Sequence, residues 1–487
     1  MPYQDLREFI RFLEGKGLLV RVKAEVDPYL EITEITNRLL ENGGPAVLFE
    51  RVKGSTIPIL INLYGTMERV ALGLDSDEAG LLEIGEFLAF LQHPEPPKGF
   101  VDAVKHLPFY GRILHLSPKK TSRAPCQEVV LEGDAVDLDR IPLLHCWPDD
   151  VGPQITWSLV ITRPPEGEEG KPNVGIYRMQ KIDRRTTIMR WLKHRGGAKH
   201  WREWMSLNKP MPVAVAIGCE PATTIAAVTP VPDRIGEFHF AGLLRRKPIE
   251  LVRCKTIDLD VPATSEIILE GEILPGEIAD EGPHGDHTGF YNSVEAFPVF
   301  HVKCITHRRD PIYLTTTTGR PPREDATIGL ALNRVFLPLL RQQFPEIIDF
   351  HLPMEAVSYR IAVISMKKEY PGHAKRIMMG IWGFLKQFLY VKYIIVVDHD
   401  LDVRSWNDVI WAIATQVDPA RDTFVIENTP IDYLDFASPV SGLGSKMGID
   451  ATTKIPPETH REWGKRIVMD PRIVEQVDRR WADYGIT

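Results

Sequence analysis

The stretch Glu266-Ile-Ile-Leu-Glu-Gly-Glu-Ile-Leu274 reads as a β-strand, and shortly after it comes Glu281-Gly-Pro-His-Gly-Asp286-His-Thr-Gly289. β-Branched and apolar residues mark the first part as strand. Pro283 and Gly285 make the second a tight loop leaving a strand, so Glu281 and Asp286 can point into one cavity. Paired carboxylates in a closed site push their pKa values apart, leaving one able to donate a proton. Glycines in such a loop also bring its backbone close to a neighbour.

Around this stretch, from about 125 to 320, short β-rich segments follow one another: Ile155–Thr162, Val174–Gln180, Val213–Ile217, Thr224–Val228, Phe300–Thr306 and Ile312–Thr318. Many short strands punctuated by Gly and Pro predict a barrel or sandwich. Before it, residues 1–120 read as a small α/β domain. Leu6, Phe9, Ile10 and Leu13 recur at helical spacing behind Asp5, an N-cap. A second helix opens at Asp27-Pro28 and carries Ile32, Ile35 and Leu39; Ala46–Phe49 and Ile59–Leu63 follow as strands, and His93–Lys98 as a loop. After the middle region, Ile328, Leu332, Val335, Phe336, Leu339 and Leu340 share one helix face, and Pro338 predicts a kink or a break in regular hydrogen bonding. Strand Val357–Ser365, helix Arg376–Leu389, strand Tyr393–Val397 and helix Asn407–Val417 form a β-α-β-α pattern, which predicts a parallel layer. Ile473, Val477, Trp481 and Tyr484 stripe a last helix, which docks either on its own domain or on a partner subunit. The domain plan is therefore 1–120, 121–322, a linker helix at 323–350, and 351–487.

The 487 residues exceed what one core organises. A net charge of −8 argues against chain-wide nucleic-acid binding. The five cysteines are scattered, without a Cys-x-x-Cys pair, which argues against a disulfide framework or thiolate zinc and points to a reducing cytoplasm. No apolar run approaches the roughly 20 residues of a membrane span.

Arg178, in Asn173-Val-Gly-Ile-Tyr-Arg178-Met-Gln, can hold a carboxylate with its fork, and with Glu281 and Asp286 would make a site for a carboxylate substrate. The plainer reading is a structural ion pair. Asn173, His194 and Glu237 offer hard oxygens and one imidazole, suiting manganese or magnesium better than zinc. Arg190, Lys193, His194 and Arg195 beside Gly196-Gly197 could receive a phosphate, although a basic cluster is more often a solvated face. His284-x-x-His287 reads as polar loop lining, Asp398–Asp402 as helix capping, and Gly442-Leu-Gly-Ser-Lys446 as a partial anion motif lacking full P-loop spacing.

Taken together, Asn173–Arg178, Arg190-Trp-Leu-Lys-His-Arg-Gly-Gly197, Thr229-Pro-Val-Pro-Asp…Glu237, Leu269-Glu-Gly…Gly289 and Thr318-Gly-Arg-Pro-Pro322 resemble the UbiD decarboxylases along the whole chain. The likeness is closest to members acting on 4-hydroxy-3-polyprenylbenzoate in ubiquinone biosynthesis. The resemblance implies a mixed α/β fold with a split-β-barrel middle domain. It implies prenylated FMN with Mn2+, and K+ as a further candidate. Asn173, Glu237 and His194 match metal ligands. Ile176, Tyr177, Arg178, Arg190, Trp191, Leu192, Arg195 and Gly196 match cofactor-binding segments. Arg178, Glu281 and Asp286 match the catalytic network, with Arg178 orienting the carboxylate, Glu281 tuning it, and Asp286 kept protonated as donor. The family also implies a homohexamer with the C-terminal helix between subunits, a flavin prenyltransferase as cofactor supplier, and a cytoplasmic enzyme peripheral to the inner membrane face. The alternative is a UbiD-type enzyme decarboxylating, or carboxylating toward, a simpler phenolic or aromatic acid. Two readings of another class stay open: a metal-independent carboxylate-pair hydrolase and a non-catalytic flavin-binding protein.

Overall fold

The computed structural model describes residues 3–92, 117–165, 172–193, 195–229, 236–357, 359–384 and 386–486; the loop expected at His93–Lys98 lies outside them. Asp5 caps α1 (Leu6–Gly15) by accepting from the Glu8 N–H at 2.9 Å. Leu6, Phe9, Ile10 and Leu13 are buried, as their spacing predicts. The chain continues through β1 (Leu19–Val26), α2 (Glu31–Glu41), β2 (Ala46–Val52), β3 (Ile59–Ile61), α3 (Met67–Gly73) and α4 (Glu78–Gln92). Strand β1 left no sequence signal because only its two ends are buried. Helix α4 is apolar on most sides and shows no stripe.

The middle of the chain supplies β4 (Lys119–Thr121), β5 (Val129–Glu132), β6 (Gln154–Ile155), β7 (Leu159–Thr162), β8 (Asn173–Ile176), β9 (Met179–Lys181), β10 (Thr186–Met189) and α5 (Gly196–Ser206). It then gives β11 (Met211–Ile217), α6 (Pro221–Ala226), α7 (Glu237–Arg245), β12 (Glu250–Arg253), β13 (Asp260–Pro262), β14 (Ile267–Glu281), β15 (Glu295–His307) and β16 (Tyr313–Leu314). One antiparallel sheet runs β6-β9-β10-β15-β14-β11-β7-β8, with β5 also on β15. The chain passes from the β6 edge to β7 near the other edge, and back from edge strand β8 to β9. These crossings stitch the edges together and curl the sheet into a half-barrel. Each expected single strand, Ile155–Thr162 and Val174–Gln180, is therefore two strands split by a crossing.

Two expectations fail here. Thr224–Val228 is not a strand: Thr224 and Ile225 sit in helix α6, because Pro221 takes its first turn and the Glu220 carboxylate accepts from the Thr223 N–H at 2.8 Å. Of Ile312–Thr318 only β16 is strand, and it leaves the half-barrel to pair in parallel with β3, giving the first sheet the order β1-β2-β3-β16.

Helix α8 (Glu324–Gln343) runs on past Pro338 to Gln343, so the proline does not end it. Pro338 packs against α4 at Gly85, where an added Cβ would stand 2.9 Å from the ring. The last sheet holds β17 (Ile347–His351), β18 (Ile361–Met366), β19 (Tyr393–Asp398), β20 (Thr423–Pro430) and β21 (Leu443–Ala451), with helices α9 (His373–Phe384), α10 (Trp406–Gln416) and α11 (Pro419–Asp422) between strands. Its order is β17-β18-β19-β21-β20; the β18-β19-β21 pairings are parallel and the outer two antiparallel. Strand β18 starts later than Val357 because that residue has φ of +56°, which extended pairing does not accept. Helix α12 (Pro471–Arg479) buries no residue, and Ile467, Val468, Met469, Trp481 and Tyr484 around it are exposed. It buries nothing against the described residues of its own chain. Among the described residues no helix is long and apolar enough to cross a membrane.

Candidate active site

Strands β9 and β10 pair with Met179 opposite Met189. The ladder continues one step, since the Arg190 N–H donates to the Arg178 carbonyl at 3.1 Å. Because side chains alternate along a strand, Arg178 and Arg190 are neighbours on one face, and Tyr177 and Trp191 on the other. The two rings meet edge to face, centroids 6.2 Å apart. Like charges directly across a ladder repel, so the two guanidinium groups require anions. Glu281, ending β14, and Asp286, in the loop beyond, supply them. Arg178 donates from Nε to Glu281 Oε1 at 2.9 Å, from Nη1 to Asp286 Oδ2 at 3.0 Å and from Nη2 to Asn292 Oδ1 at 3.2 Å. Arg190 Nη1 lies 3.3 Å from both carboxylates, and its Nη2 donates to the Tyr433 hydroxyl at 2.6 Å. Glu281 is fully buried and Asp286 nearly so.

The loop is held by its backbone. Gly282 has φ of +91°, and a Cβ there would stand 2.7 Å from Asn292 Nδ2. Gly285 lies on the Trp147 indole, where a Cβ would come within 2.1 Å of Cδ1. Its N–H donates to Asp150 Oδ1 at 2.8 Å, and its carbonyl accepts from Thr318 Oγ1 at 2.8 Å. The Thr318–Pro322 motif thus braces the carboxylate loop. His284 turns to Gln180 Oε1 at 2.9 Å, whereas His287 turns to Asp286 Oδ1 at 2.8 Å. The two imidazoles diverge and make no metal pair.

Burial pushes the Glu281 carboxyl above its ordinary value, against the pull of Arg190. Burial alone would push Asp286 up too, but the hydrogen bond and charge of His287, with Arg190, hold it below. The pair is split as expected but in the opposite order: Glu281, not Asp286, is the raised acid. The cause is His287. Burial opposes its charge, yet the hydrogen bond to Asp286 and the nearby negative charge of Asp432 raise it to about 10.

Sequence models of the 3-octaprenyl-4-hydroxybenzoate carboxy-lyases (UbiD) match three segments: the N-terminal domain over residues 10–88, the Rift-related domain over 118–321 and the C-terminal domain over 326–451. The chain belongs to the UbiD family. Its fold matches the UbiD-class enzyme HmfF from Pelotomaculum thermopropionicum in complex with FMN, at 32% identity and TM-score 0.82, over 99% of this chain and 100% of that one. It also matches the vanillic acid decarboxylase of Sedimentibacter hydroxybenzoicus in closed form, at 31% identity and TM-score 0.84, over 100% of both chains. An evolved dimeric form of HmfF, in complex with prenylated FMN, matches at 31% identity and TM-score 0.80, over 99% of this chain and 100% of that one. As a UbiD-class protein the chain is a carboxy-lyase, and its half-barrel is the Rift-related domain.

The opposite face of the β9–β10 ladder offers what a flavin phosphate and a hard metal need. Asn173 opens β8 and Glu237 opens α7, and the Val174 N–H donates to Glu237 Oε2 at 3.3 Å. Burial pushes the Glu237 carboxyl up, a cost that a bound cation would reverse. His194 lies outside the described residues, as does 230–235 of the motif ending at Glu237. A Cβ on Gly196 would stand 1.9 Å from Asn173 Oδ1, so glycine lets the N-terminus of α5 close on Asn173. The Gly197 N–H donates to the Tyr177 hydroxyl at 3.2 Å. Trp191 Nε1 is buried and lacks a hydrogen-bond partner among the described residues. These groups fit a metal-bound phosphate at a helix N-terminus. Ile176 and Leu192 are half-buried beside them, whereas Lys193 and Arg195 are exposed.

Sequence reading missed Gln180, Asn292, Tyr359, Asp432 and Tyr433. Tyr359 and Tyr433 reach the site from the C-terminal part of the chain, with no spacing to announce them. Lys446, read as an anion contact, is buried with its Nζ on the Val391 carbonyl at 3.0 Å. Asp398 accepts from the Thr453 N–H at 3.0 Å and ties down its own strand end.

Proposed function

We propose that this chain is a prenylated-FMN-dependent decarboxylase of a 4-hydroxylated aromatic acid, with 4-hydroxy-3-polyprenylbenzoate as substrate and the corresponding prenylphenol and CO2 as products. The observation that carries this reading is the pair of adjacent arginines sharing two buried carboxylates. Arg178 binds the substrate carboxylate with its fork, displacing part of its bonding to Asp286. Glu281, kept by Asn292 and Arg190, fixes Arg178 against movement. Asp286 Oδ gives the ring carbon the proton that replaces CO2. When bound, prenylated FMN supplies an electron sink for the pair left by C–C cleavage. Asn173 and Glu237, with His194, would hold Mn2+ for the cofactor phosphate, and Tyr177, Trp191 and the N-terminus of α5 would enclose the flavin end.

Two exposed aromatic rings support the prenyl substituent. Phe290 and Phe436 are exposed, with centroids 6.1 Å apart, on the loops that carry Asp286 and Tyr433. An exposed apolar pair there suits an apolar tail leaving the site. Such a substrate would bring the enzyme to a membrane surface. A second reading, a simpler phenolic acid, is favoured by the full-length match to a vanillic acid decarboxylase. The hydrolase reading loses ground, because Glu281 and Asp286 share one Arg190 nitrogen rather than flanking a substrate.

The test is expression with and without a flavin prenyltransferase, followed by absorbance, bound mass, metal content and a panel of hydroxybenzoates. Prenylated FMN with manganese and CO2 release only after co-expression supports the reading. A folded, colourless protein under both conditions overturns it. Phe290→Ser should raise KM for prenylated substrates by up to about tenfold, from the roughly 0.5–1.5 kcal/mol of an aromatic pair, and leave short phenolic acids unaffected. Equal effects on both would favour the simpler substrate.

A further inference from the structure

The site poses a problem: the acid placed to protonate the product is the one its neighbours hold ionised. His287 is the reason, and its surroundings resolve it. Its Nδ1 is 2.8 Å from Asp286 Oδ1, whereas the two arginines bind the other oxygen, Oδ2. Its Nε2 lies 3.6 Å from Asp432 Oδ2 and 3.4 Å from the Tyr359 hydroxyl, both from the C-terminal part of the chain. Asp432 also accepts from Tyr359 at 3.1 Å and from Arg360 at 3.1 Å. Asp325, in the first turn of α8, lies within electrostatic range of the same imidazole. His287 is thus clamped between carboxylates of two parts of the fold, and its side chain keeps 19% exposure.

We infer that His287 is the proton reservoir for Asp286, charged by solvent at its exposed edge and held charged by Asp432. The inference rests on the decarboxylase reading. When the substrate carboxylate takes the Arg178 fork, Asp286 loses a counter-charge and gains a like charge beside it. Both changes favour its protonated form. The Nδ1 proton of His287 then moves along the existing hydrogen bond to Asp286 Oδ1. As the bond from ring carbon to carboxylate breaks and CO2 leaves, Asp286 passes that proton to the carbon, forming C–H. His287 ends neutral, Asp286 ends ionised, and one solvent proton recharges His287. The clamp therefore couples proton supply to contact between the half-barrel and the C-terminal part. His287 acts through Asp286 and is a positioning and relay residue.

The test uses full-length protein and two independent readouts. In the cofactor-free protein, NMR of ring-labelled histidine should show His287 charged well above pH 7, and Asp432→Asn should lower its titration by about 1–3 units, the effect of one nearby opposite charge. In the loaded enzyme, the same variant should move the alkaline limb of the kcat profile down by a similar amount. His287→Gln should lower kcat by about 10²–10⁴-fold, a general acid–base contribution, with KM little changed. A His287 that titrates at its ordinary value, or an alkaline limb unmoved by Asp432→Asn, overturns the inference. NMR reads out without turnover, so a wrong substrate leaves that arm decisive.

Discussion

Gly285→Ala tests whether the carboxylate loop is set by contact or by backbone conformation. Gly285 does not have a positive φ, so alanine meets no conformational penalty there. The obstacle is steric. The new Cβ would stand 2.1 Å from Trp147 Cδ1 and 2.6 Å from Nε1. The indole is pinned, because its Nε1 donates to the Thr318 carbonyl at 2.8 Å and its backbone N–H to Asp150 Oδ2 at 3.0 Å. Restoring an ordinary contact of 3.4 Å needs a shift of about 1.3 Å. The loop must take most of it, and Asp286 moves with it. Overpacking of this kind costs about 1–3 kcal/mol of stability, and a displacement near 1 Å costs about 100-fold in rate. The expected variant therefore folds, binds the flavin and manganese at the far end, and loses about two orders of magnitude in kcat. Stability is read by denaturant titration, cofactor by absorbance and kcat by CO2 release. Gly383→Ala, facing open space near the end of α9, is the control and should gain up to about 1 kcal/mol with unchanged kcat. A Gly285→Ala enzyme within twofold of the parent would refute the argument.

Glu237→Ala should lose metal and flavin together, seen as absent manganese by elemental analysis and a colourless protein. The pH dependence follows from His287, whose folded value is raised from 6.5 to about 10. Its contribution to stability is complete below about 6.5 and fades as pH rises through about 10. Asp286 and Asp432 carry the opposite sign: their contribution holds above about 4 and is lost as pH falls below it. Melting temperature should thus decline on both sides, and Asp432→Asn should remove part of the alkaline decline. Truncation after Asp470 removes an amphipathic helix whose apolar stripe covers none of the described residues. If that stripe joins subunits, light scattering should show particles of one chain, somewhat below the 55.2 kDa of the full chain, with the fold retained by circular dichroism.

Much of this was legible in local residues. The buried stripe of α1, the two carboxylates and the close approach of the loop glycines all follow from period, spacing and backbone freedom. Other features were not, because their causes are distant. Tyr177 and Arg178 looked like strand interior; only the sheet order shows that the chain crosses there between two edges. Thr224 and Ile225 favour strand by propensity, and Pro221 and Glu220 override them. The protonation order turns on His287, next to Asp286 in the sequence, but only the fold shows that His287 bonds Asp286 and faces Asp432, over 140 residues away.

The ladder step shared by Tyr177-Arg178 and Arg190-Trp191 has an engineering consequence. Each dipeptide sends one side chain toward Asn173 and the N-terminus of α5 and the next toward the carboxylates. A substitution chosen to reshape one end displaces the backbone of the other, so libraries targeting these four positions will mix lost cofactor with altered selectivity. Phe290 and Phe436 lie on separate loops outside that step. On the proposed function, variation there should sample new acids while the machinery behind them stays in place.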